Sequence, residues 1–108
     1  MDLTHEQAEV LERLQSRGFR LVSFPMFANY VGVRKGYCVA LLAPLEKGTF
    51  KIFGTPTCMV GENPGARVSH KDGEWFVWKK DRLEATPELV SDLERFSAEL
   101  ADALLPTS

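Results

Sequence analysis

The sequence predicts a single α+β domain over residues 1–108. An N-terminal helix at 5–17 leads into an antiparallel meander of six to seven short strands within 19–79, and a C-terminal helix at 87–104 packs on the sheet. Three observations carry that expectation. Apolar residues recur at helical spacing near both ends, they alternate with a period of two in between, and turn residues punctuate the alternating stretch at short intervals.

The first helix has readable ends. Thr4 and Gln7 form a capping box, and Leu3 and Ala8 are placed as the accompanying hydrophobic staple. Ala8, Leu11 and Leu14 make its apolar stripe, widened by Val10, and Glu9 with Arg13 is a favourably oriented i,i+4 pair. Gly18 supplies the left-handed residue that lets the chain turn away.

The strands follow in order. Phe19 to Phe24 is extended and stopped by Pro25. Tyr30 to Arg34 and Tyr37 to Ala43 flank Lys35-Gly36, Thr49 to Phe53 follows the turn Leu45 to Gly48, and Thr57 to Val60 is a shorter strand. After the loop Gly61 to Gly65, Ala66 to His70 and Glu74 to Trp78 flank Asp72-Gly73, the strongest hairpin signal in the chain. No helical pattern interrupts residues 19–83, which excludes parallel βαβ units.

The last helix is capped by Thr86, with Pro87 at its first position and Glu88 where the helix dipole favours an acid. Leu89, Leu93, Phe96, Leu100 and Leu104 form its apolar stripe, and Glu88, Asp92, Glu99 and Asp102 its wet side. Disorder is expected only after Pro106.

A hydrophobic fraction of 44% and a charged fraction of 26% are ordinary globular usage. No run approaches the roughly 18 apolar residues of a membrane helix. No leader or lipid signal stands at the N-terminus, so the cytoplasm is the expected compartment, without membrane contact. Cys38 and Cys58 are then expected to be reduced. Net charge runs from −2 over residues 1–17 to +5 over 18–83 and −5 over 84–108. The total of −2 argues against strong nucleic-acid binding, while the basic middle leaves room for a weak form of it.

Register sorts the side chains by face. Read as a two-residue loop, Lys35-Gly36 pairs Val33 with Cys38 and Arg34 with Tyr37, and puts Val31, Val33, Cys38 and Ala40 toward the core. Asp72-Gly73, read likewise, pairs His70 with Trp75 and Arg67 with Trp78. Val68, His70, Trp75 and Val77 then share one face, and Arg67, Ser69, Phe76 and Trp78 the other. Arg34, Tyr37, Arg67, Trp78 and Lys79 could form a basic aromatic platform for single strands. The ordinary alternative, which carries more weight, is that Arg67 lies on Trp78 as an internal cation–π contact.

The stretch Phe24 to Tyr30 is too apolar for a strand connection. Burial is the favoured expectation, with Asn29 capping backbone groups. If the stretch is exposed, Met26, Phe27 and Tyr30 are its anchors.

Catalytic company is scarce. His5 and His70 lack partners at metal-ligand spacing. Cys38 sits in an apolar strand as an inert thiol. Cys58, beside a loop and with His70 as a conceivable base, is the better nucleophile. No phosphate-cradling loop appears. No catalytic residue, metal or cofactor is therefore assigned.

The leading expectation is a non-catalytic binding or protein-interaction module for an unknown protein or small ligand. It would use the Pro25–Tyr30 segment and the strand around Trp75 and Trp78, with homodimerisation as a corollary. The alternatives are weak single-stranded nucleic-acid binding and a thiol- or histidine-dependent enzyme.

Overall fold

The computed structural model describes residues 3–105; the disorder expected after Pro106 falls outside them. Helix α1 (His5–Ser16) begins with the capping box its sequence predicts. The Thr4 hydroxyl accepts from the Gln7 amide at 3.1 Å, and the Gln7 side chain accepts from the Thr4 amide at 3.0 Å. At its end Gly18, with φ +93, lets the Phe19 and Gly18 amides reach the Leu14 and Gln15 carbonyls.

Val10, Leu11 and Leu14 are buried, whereas Ala8 is only half-buried and Gln7 is buried beside it. Gln7 accepts burial because its amide nitrogen donates to the carbonyls of Leu45 and Thr49. The expected Glu9–Arg13 pair does not form. Glu9 meets His5 at 2.9 Å, and Arg13 donates to the carbonyls of Ala103 and Leu105. Those carbonyls close helix α2 (Pro87–Leu104), where unpaired backbone oxygens and the helix dipole both favour a cation.

Helix α2 has its expected bounds, and the Thr86 hydroxyl accepts from the Leu89 amide at 3.2 Å. Its buried face is Leu93, Phe96, Leu100 and Ala103, with Leu89 and Leu104 half-buried at the margins.

Eight strands lie between the helices, every pairing antiparallel and between neighbours in sequence. β1 (Arg20–Val22), β2 (Val31–Lys35), β3 (Cys38–Pro44), β4 (Phe50–Val60) and β5 (Asn63–Pro64) form a five-stranded sheet. β6 (Ala66–His70), β7 (Gly73–Trp78) and β8 (Asp81–Glu84) form a separate three-stranded sheet. The strands thus continue past residue 79. The turn into β8 uses Lys79 at φ 54, a left-handed residue with no glycine to announce it.

The two strands expected at 49–53 and 57–60 are one. Phe53 pairs with Leu41 and Thr57 with Val39, so residues 54–56 bulge opposite Ala40 without ending the strand.

Both hairpins shift from their expected pairing by two positions, which leaves every residue on its expected face. Lys35 pairs with Cys38, so Gly36 and Tyr37 make the turn. Gly36, at φ +63, occupies the first central position, where a type II′ turn needs it. His70 pairs with Gly73, so Lys71 and Asp72 make the other turn and Gly73, at φ +127, follows it. Arg67 consequently opposes Phe76, not Trp78, and binds Glu74 at 2.6 Å.

Both helices cover one face of the larger sheet. Leu14, Leu93 and Leu100 pack there with Val33, Leu42 and Cys58, and Phe19 meets Phe96 at 5.4 Å between ring centroids. The smaller sheet closes one side of the same core through the fully buried Phe76, with Trp78 and Leu83 packed behind it. The opposite face of the larger sheet carries a second cluster, in which Phe24 lies on Val39 and Met59. Gly32 makes room for it: a Cβ there would stand 2.6 Å from the Val22 carbonyl and 3.0 Å from the Phe24 ring.

Candidate functional site

Strand register decides which reactive and binding side chains meet. On the helix-free face of the larger sheet, Arg20 lies directly opposite Arg34, and Val22–Gly32–Leu41–Phe53 forms the next row. Lys51 shares the face one step further along β4. Like charges directly across a strand pair repel. Among the described residues, no carboxylate pairs with Arg20, Arg34 or Lys51, and Arg34 donates only to the Gly36 carbonyl at 2.7 Å.

The Phe24–Tyr30 stretch crosses this face. Pro25–Phe27 forms one short 3-10 turn that pushes Phe24 inward and half-buries Phe27 against the second cluster. The favoured expectation of burial therefore holds for Phe24 and in part for Phe27. Met26 instead stands 69% exposed, and Asn29 is exposed as well. Tyr30 stacks on Phe53 at 4.4 Å and 20°, and Phe53 keeps 44% of its surface in solvent. A hollow of about 270 Å³ opens between Phe24, Phe27 and Tyr30.

The other candidates lie on the smaller sheet, so Arg34, Tyr37, Arg67, Trp78 and Lys79 are divided between two sheets. Arg67 is neutralised by Glu74, and Trp78 is half-buried against the core with Lys79 5.9 Å from its ring centre. Trp75 lies beneath the Arg82 guanidinium at 4.6 Å, and its buried indole N–H has no hydrogen-bond acceptor among the described residues. The expected Arg67–Trp78 contact does not form: the cation near Trp78 is Lys79, and Arg82 reaches Trp75 diagonally from the neighbouring Val77 row.

A third place joins the β2–β3 turn to helix α2. A cleft of about 420 Å³ opens there, walled by Tyr37, Leu89 and Phe96 and ringed by Lys35, Asp92, Arg95 and Glu99. Lys35 meets Glu99 at 2.8 Å across it. Cys38 lines the cleft, while Cys58, directly across the strand pair, has no exposure.

Of the two thiols, the one expected to be inert is therefore the one within reach. Sequence reasoning ranked Cys58 higher because its strand is short and polar; the continuous β4 buries it. A hydrogen bond from Cys58 holds the Cys38 thiol below its usual range, against burial and the Asp92 charge. The same bond, with burial, pushes the Cys58 thiol strongly up. His70 is exposed at the far end of β6, and the partner of Cys58 is Cys38.

Among the described residues, no three histidine, cysteine or acidic side chains gather closely enough to hold a metal ion, and no helix is long and apolar enough to cross a membrane. No protein-family model, curated protein or solved structure matches the chain.

Proposed function

We propose that the protein is a non-catalytic interaction module that docks an acidic polypeptide segment on the helix-free face of its larger sheet. One observation carries the reading: exposed Met26 and Phe53, with Tyr30 half-buried in a stack on Phe53, share that face with Arg20, Arg34 and Lys51, and no described carboxylate balances the charge. An apolar side chain of the partner fits the hollow between Phe24, Phe27 and Tyr30, and its acidic neighbours meet the arginines. Trp75 and Trp78 support the reading less, because Arg82 covers one and the core half-buries the other.

The test is a titration followed by backbone amide chemical shifts, using an acidic peptide with one central phenylalanine. Shifts clustered on β1, β2 and the middle of β4 are expected. Tyr30→Ala or Phe53→Ala should weaken binding about tenfold, the ordinary loss at a central interface aromatic. Shifts scattered over both sheets, or none at any peptide concentration, overturn the proposal. Homodimerisation through this face would appear in the same spectra as shifts that depend on protein concentration alone.

The unopposed Arg20–Arg34 pair beside stacked rings also favours a second reading, single-stranded nucleic acid. It predicts oligonucleotide affinity falling with salt at a log–log slope of about −2, from three neutralised phosphates. A salt-insensitive response removes it. Tryptophan fluorescence is a poor reporter here, since both tryptophans belong to the smaller sheet.

A further inference from the structure

Cys38 and Cys58 are exact cross-strand partners in β3 and β4. The next position along holds a ladder hydrogen bond, from the Met59 amide to the Tyr37 carbonyl at 2.7 Å. The cysteines therefore occupy a non-hydrogen-bonded site, where opposed Cα atoms approach to about 4.5 Å and side chains come closest. That separation falls at the short end of the roughly 4.4–6.8 Å a disulfide spans. Both thiols point into the core beneath the helices, and both are free. Their access differs: Cys38 keeps 4% of its surface and lines the cleft, whereas Cys58 keeps none.

We propose that Cys38 and Cys58 are a redox-active dithiol, which a hydroperoxide small enough to enter the cleft converts to a cross-strand disulfide. The Cys38 thiolate attacks one peroxide oxygen, the O–O bond breaks, and the departing oxyanion takes up the proton that Cys38 released. Cys38 is left as a sulfenic acid. The Cys58 sulfur then attacks the Cys38 sulfur; the S–S bond forms, the S–O bond breaks, and hydroxide leaves with the Cys58 proton as water. Two thiols and one hydroperoxide give one disulfide, one alcohol and one water, and the peroxide gains the two electrons the thiols lose.

The local chemistry sets the order of these steps. Access makes Cys38 the first sulfur to react, because it lines the cleft while Cys58 has no exposure, and the interaction of the two thiols lowers Cys38 and raises Cys58 in the same sense. Asp92 opposes the ionisation of Cys38 from helix α2, and Glu99, Arg95 and Lys35 ring the same cleft, with Tyr37 at the turn. Cys38 lines the cleft, so one sulfur of the disulfide is within reach of a small dithiol reductant, which makes the couple reversible.

The experiment treats the folded protein with one equivalent of hydrogen peroxide, quenches it in denaturant with an alkylating agent, and weighs the intact chain. The expected product is a monomer lighter by two hydrogens, carrying no alkyl group, that a dithiol reductant restores. Cys58→Ser should stop at a sulfenic acid on Cys38, trapped by dimedone, and Cys38→Ser should resist oxidation. The wild-type mass needs no variant to fold. Full alkylation of both cysteines after peroxide, disulfide-linked dimers, or first oxidation at Cys58 would each overturn the proposal.

Discussion

Gln7 is the one buried polar side chain among the described residues, and three hydrogen bonds explain its place. Its amide joins the Thr4 backbone to the carbonyls of Leu45 and Thr49. Gln7→Met keeps the volume and strands all three groups, an expected loss of about 1–3 kcal/mol in urea unfolding. A second buried donor, the Trp75 indole N–H, has no acceptor among the described residues. The thiols make the same point about sight lines in sequence. Cys38 and Cys58 stand twenty positions apart, and only the register of β3 on β4 puts them face to face.

Among the elements, both helices were legible because their caps are local chemistry: Thr4 with Gln7, Gly18, and Thr86 with Pro87 act within a few residues of themselves. The hairpin faces were legible too, since alternation survives a shift of two. The pairing was not, because a glycine marks a turn without saying which turn position it fills. At Gly36 it is the first central residue, and at Gly73 it follows the turn. β8 escaped notice because Lys79 turns the chain without a glycine.

Of the candidate site, Met26, Tyr30 and Arg34 were visible in the sequence. Arg20 and Phe53 were not, since their importance comes from the residues that register sets beside them. The joint between the sheets depends on Gly65, whose missing Cβ would stand 2.7 Å from Val60 and 3.2 Å from Phe76. Gly65→Ala should therefore cost about 1–3 kcal/mol by overpacking, read as a lower denaturation midpoint.

For the whole molecule, charge is divided between its two sides. Helix α2 holds Glu99 and Asp102 against Lys35 and Arg17, half-exposed pairs that add little stability, and the basic sheet face has no counterpart among the described residues. Binding by that face would thus come at the expense of the unbound fold. Arg20→Glu turns a repulsive cross-strand pair into an attractive one. It should stabilise the free protein by about 0.2–1 kcal/mol in thermal unfolding while weakening the acidic peptide. A variant less stable than its parent would mean that Arg20 and Arg34 are already kept apart.

The order of the strands carries a consequence for how the chain reaches this shape. Every strand pairs with its neighbour in sequence, so each sheet closes through short loops, and the closure entropy to be overcome at each step is small. The longest reach is the docking of α1 on α2, where Arg13 meets Ala103 and Arg17 meets Asp102 across nearly the whole chain. Folding is then a zipper with a late clasp: two meanders condense locally and quickly, and the helices seal the core when the far ends of the sequence meet.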